Sequence, residues 1–79
     1  MLIREYVETL DTETLLRLMR DYEEFESKGF IGDCALREHA TNLSREMRIR
    51  DSSITIMMDR LMMEVFRRMA YQHIDRISS

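Results

Sequence analysis

The sequence predicts an all-α domain of four helices, and three observations carry that prediction. The 79 residues include no proline and two glycines, both in the segment Gly29-Phe30-Ile31-Gly32, so one strong break interrupts the chain. Apolar residues recur at three- and four-residue spacing through most of the remainder. Charged residues fill the positions between those stripes, as they do on amphipathic helices. Residues 1–79 are read as a single domain with a short first helix, two of medium length and one long C-terminal helix.

Leu2, Ile3, Tyr6, Val7 and Leu10 give the first helix its apolar side. It is too short to persist alone, so that side must dock, and the C-terminal helix offers the largest surface. Asp11 then reads as the N-cap of the second helix, with Glu13 in the first turn where negative charge is favoured. Leu10 and Leu15 stand at the positions of a hydrophobic staple. Leu15, Leu18 or Met19, Tyr22 and Phe25 continue one stripe. Asp21, Glu23, Glu24 and Glu26 crowd the C-terminal half, the disfavoured end of the dipole for carboxylates. Two readings stand for them: a solvated face, or an acidic surface for a basic partner.

Gly29 suits the left-handed position that ends this helix, which predicts a Schellman motif with Phe25 and Phe30 in contact. Ile31 extends the apolar plug, and Asp33 is expected to cap the next helix. A phosphate-binding loop is excluded, because neither a Lys-Ser/Thr pair nor a preceding strand accompanies the glycines. The third helix, residues 34 to about 48, carries Leu36, Ala40, Leu43 and Met47 on one stripe. Cys34 falls in its first turn, where a helix dipole lowers a thiol pKa. No histidine lies within a turn of it on the same face, and a nucleophile without a base makes a poor catalyst.

Met47 to Arg50 and Ile54 to Met57 alternate apolar and polar residues, so a β-hairpin across Asp51-Ser52-Ser53 competes with a helix break there. The hairpin lacks a glycine or Asn-Gly turn. The simpler expectation is a new helix with Asp51, Ser52 or Ser53 as N-cap.

That last helix organises the rest. Ile54, Met58, Leu61, Val65 and Met69 form one stripe, and Ile56, Met63, Phe66, Ala70, Ile74 and Ile77 form another. Met57, Met62 and His73 border them, and His73 on the apolar side is expected to be packed. The apolar arc spans roughly 220°, about twice that of an ordinary surface helix. Such a helix needs cover on two sides, either wholly from the other three helices or partly from a second molecule. Asp59 interrupts the second stripe. It either sits hydrated at the rim or needs a cation from another helix or subunit.

A chain of this length buries only about 60–65% of its unfolded surface. One cysteine excludes an internal disulfide, and Cys34, His39 and His73 lack metal-site spacing. Oligomerisation or unusually dense helix packing is the remaining support, and a homodimer is the expectation. The lone cysteine suits a reducing compartment, and neither a signal-like N-terminus nor an 18-residue apolar run is present, so the expected location is cytoplasmic with no membrane partner. Residues 1–33 hold nine acids and four bases, whereas residues 34–79 hold six acids and eight bases. That division suits head-to-tail or antiparallel association better than nonspecific nucleic-acid binding.

No catalytic constellation or cofactor motif is legible, so an enzyme is not expected. The expected function is protein binding, as a homodimer or as a small regulator or inhibitor of a partner protein. The expected interface is Met57, Met62, Met63 and Phe66 flanked by Arg60 and Arg67, because methionine adapts to varied partners. The alternative is a DNA-binding transcriptional regulator using Arg45, Arg48 and Arg50 on phosphates, the glycine-joined second and third helices supplying a helix-turn-helix likeness. In size, acidity and helicity the chain is similar to small phage- and plasmid-encoded proteins that attach to a host factor. That likeness is one of class and assigns no residue.

Overall fold

A computed structural model of the chain describes residues 2–49 and 53–78, with side chains through residue 74. Four helices follow in order: α1 (Ile3–Glu8), α2 (Thr12–Lys28), α3 (Ala35–Glu46) and α4 (Ile54–Ser78). Among the described residues there is no strand. Arg50, and Asp51 and Ser52 as candidate caps, lie outside the described residues, as does the side chain of Ile77.

The first helix is one and a half turns, and it is held by burial rather than by a cap. Val7 is buried against the core, and the Tyr6 hydroxyl lies 2.8 Å from His39 Nδ1 on α3. Tyr6 donates in the imidazole tautomer whose proton is on Nε2 and accepts in the one whose proton is on Nδ1. At α2 the expected cap is in place: the Thr14 N–H donates to Asp11 Oδ1 at 2.8 Å. Hydrogen bonding from Thr14, its side chain first and then this N–H, holds the Asp11 carboxyl below its ordinary value. Leu15 and Leu18 face inward, with Met19 half-buried beside them.

Gly29 has φ +77°, and its N–H donates to the Phe25 carbonyl at 2.8 Å, so α2 ends in the simple left-handed form. The second hydrogen bond of a Schellman motif, from the Phe30 N–H to the Phe25 carbonyl, is not made. Phe30 is 66% exposed, and Ile31, one residue on, packs against the core in its place. A full Schellman motif ends α3 instead: the Ile49 N–H donates to the Ser44 carbonyl and the Arg48 N–H to the Arg45 carbonyl. Arg48 occupies the left-handed position at φ +56°, a conformation that favours glycine.

The expected cap at Asp33 is also corrected. Helix α3 begins one residue later than the sequence indicated, which leaves Asp33 exposed and 4.0 Å from Arg37. Asp21 of α2 takes the role, its Oδ2 accepting from the Leu36 N–H at 3.0 Å. One member of the acidic run is therefore a cross-helix cap. Ser53 opens α4, its Oγ accepting from the Ile56 N–H at 3.2 Å, which settles the hairpin in favour of a helix break.

Helix α4 packs on each of the other three, and α2 also packs on α3. The molecule measures 42 × 30 × 16 Å, thin enough that α1, α2 and α3 cover α4 from one side only. Met57, Met58, Leu61, Met62 and Val65 line the covered side and are fully buried with Leu15, Leu18, Leu36 and Leu43. Burying side chains of this size contributes about 1.5–3 kcal/mol each relative to exposure. Met57 and Met62, expected at an interface, are thus core residues. Among the described residues, no helix is long and apolar enough to cross a membrane.

Candidate protein interface

The uncovered side of α4 is the surface that packing leaves unexplained. Ile56 is 52% exposed, Met63 72%, Phe66 43% and Ile74 55%. With the exposed Ala70 they run along about five turns. Single exposed apolar residues are ordinary, but a continuous row on one helix face is not. Of the interface residues expected from sequence, Met63, Phe66, Arg60 and Arg67 lie on this outer side and Met57 and Met62 on the inner.

The two flanks of the row differ in charge. On the α2 flank, the Tyr22 hydroxyl donates to Asp59 Oδ1 at 3.0 Å. Asp59 is exposed at the rim, and its bonding partner is a phenol rather than the cation considered from sequence. That bond, with burial and a further contact to Glu26, pushes the Tyr22 hydroxyl up to about 12. Tyr22 also meets Phe66 edge-on, with centroids 6.1 Å apart and planes at 66°. Met19, Tyr22, Glu23, Glu26 and Phe66 line the groove between α2 and α4. This flank is aromatic and acidic.

The α1 flank is predominantly basic. Arg4 of α1 reaches Glu64 at 3.8 Å, and Arg4, Glu8, Glu64, Arg67 and Arg68 line the groove between these helices. Arg67 lies over the Tyr71 ring at 5.8 Å from its centroid. Arg60 precedes Glu64 by one turn on the same side. Across the width of α4, charge thus runs from Asp59, Glu23 and Glu26, past an apolar row, to Arg60 and Arg67.

The remaining sequence candidates separate from this face. Arg45 and Arg48 are exposed at the end of α3, and Arg50 lies outside the described residues. Arg17 of α2, which no sequence motif singled out, lines a broad depression with Arg37 and Arg45. Asp33 and Glu38 line it too, so it is mixed in charge. His73 is exposed, contrary to its expected packing, because α1–α3 leave that side of α4 uncovered. Among the described residues, no group of histidine, cysteine or acidic side chains is placed to hold a metal ion. Neither a known protein family, a curated protein nor a solved structure matches the chain.

Proposed function

We propose that the chain is a non-enzymatic protein-binding module that docks through the outer face of α4, acting as a homodimer or as a small regulator of a partner protein. The observation that carries this reading is the exposed row from Ile56 through Met63 to Ile74. A domain this small gains most from covering such a row. Each of these side chains, fully covered, would contribute on the order of 1.5–3 kcal/mol less whatever it already buries. The charged flanks give the docking direction, since complementary charge selects partners more than it adds affinity.

The test is Met63→Glu, with mass read by light scattering after gel filtration and helix content by circular dichroism. The expected result is a single folded chain where the wild type associates. An associated state that survives the substitution would contradict the reading. So would unfolding, because a side chain 72% exposed in the single chain is not holding its core together.

A second reading is DNA binding through Arg45, Arg48 and Arg50, and the observation favouring it is that Arg17 joins Arg37 and Arg45 along one depression. Against it, the α3 N-terminus, the end that would approach phosphates, is already occupied by the Asp21 carboxylate. DNA retention that falls steeply with salt and is lost in Arg45→Ala would favour this second reading.

A further inference from the structure

The outer face of α4 indicates what covers it. We propose that its partner is a second copy of this chain, lying parallel to the first, with a two-fold axis running along α4. This rests on the reading of that face as a docking surface and adds the partner and its orientation.

Ile56, Met63 and Ala70 are spaced seven residues apart down the middle of the exposed face, the repeat that keeps a seam facing a neighbouring helix. About an axis parallel to α4, each meets its own counterpart, Ile56 on Ile56 and Met63 on Met63. The same operation places the α2 flank of one copy against the α1 flank of the other. Asp59 then faces the second copy's Arg60, and Phe66 faces the second copy's Arg67, an arrangement suited to cation–π contact. Each pairing occurs twice. Beyond them, the Glu23 and Glu26 side approaches the side carrying Arg4 and Arg67.

An antiparallel pair reverses every one of these pairings. Its axis lies across α4, so each flank meets its own counterpart. With that axis level with Met63, the side carrying Asp59, Glu23 and Glu26 would meet the same acidic side, and Arg60 would approach Arg67 of the other copy. Like charges brought together in this way disfavour the arrangement. The uneven division of charge along the chain suggested head-to-tail or antiparallel association; the division across α4 favours the parallel pair.

Two single-cysteine variants in a Cys34→Ser background test this, Ile56→Cys and Ala70→Cys, each oxidised with diamide and read on a non-reducing gel. A disulfide needs Cα atoms about 4.4–6.8 Å apart. The two positions are about 21 Å apart along the helix. An antiparallel pair can bring at most one level of the helix onto itself, whereas a parallel pair brings both. The expected result is covalent dimer from each variant, about a hundredfold faster than from an exposed control cysteine at Arg37→Cys, as an intramolecular encounter is relative to a collisional one. Cross-linking at only one position, at neither, or no faster than the control would overturn the proposal. If association is then still abolished by Met63→Glu, the docking face stands and only the parallel copy is lost. If association ignores Met63→Glu, the face itself is wrong.

Discussion

The two sides of α4 carry the same kinds of residue and are held in opposite environments. Met62 and Met63 are neighbours in sequence, yet Met62 is 1% exposed and Met63 72%. Composition alone does not separate them. One step of helical rotation does, once three short helices have been laid on a single side. The apolar arc of α4 is wider than its own chain covers. The inner part is spent on stability, and the outer part is available for association.

Substituting each side in turn should give the largest contrast. Leu61→Ala, which empties space in the buried core, is expected to cost about 2–5 kcal/mol in chemical denaturation. Met63→Ala, measured as the dilute single chain, should fall within about 0.5 kcal/mol of wild type. Equal losses at the two positions would mean that the outer row is not free in the single chain.

Asp21 and Asp33 extend the contrast to carboxylates. Asp21→Ala removes the acceptor of the half-buried Leu36 N–H and is expected to cost about 1–2 kcal/mol. Asp33→Ala should change stability little, since that side chain is fully exposed. A reversed order would restore Asp33 as the cap of α3. Arg48→Gly should stabilise the fold by about 1 kcal/mol, because glycine adopts the left-handed angle without the clash that a Cβ brings. An unchanged or lowered midpoint would show that the arginine side chain contributes more than its backbone costs.

The smallest effect is at the border between the two sides. Tyr22 holds its proton to about 12 through its bond to Asp59, above the phenol's ordinary 10.0. The folded state therefore binds that proton more tightly than the unfolded chain does. The bond's contribution is fully present below pH 10 and is lost as pH rises toward 12. Tyr22→Phe should flatten the alkaline decline in midpoint over that window, and an identical decline in both proteins would remove Tyr22 as its source.

Much of this architecture was legible from local chemistry. Asp11, Gly29 and Ser53 mark helix boundaries because each acts on backbone within a few residues of itself. The errors share a different cause. Asp33 looked like a cap, but the acceptor is Asp21, 15 positions from the Leu36 N–H that it binds. The Schellman motif formed at Arg48 rather than at the glycine, because Ile49, which follows Arg48, and not Phe30, had a core to pack against. Periodicity found both stripes of α4 and put Met63 and Phe66, flanked by Arg60 and Arg67, on a partner face. It put Met57 and Met62 there too, although they are buried, because their burial depends on where α1, α2 and α3 come to rest. Nor could it pair Tyr22 with Asp59, 37 residues apart. The charge gradient across α4 is tertiary only in part: Asp59, Arg60 and Arg67 belong to α4 itself, and Glu23 and Glu26 of α2 and Arg4 of α1 extend it.

The most direct test of the account is the mass of the wild-type chain in solution across a hundredfold range of concentration. A mass rising from one chain to two, or holding at two throughout, is the expected result, and Met63→Glu should return it to one. A folded single chain at every concentration would contradict the claim that a second copy covers the outer face of α4.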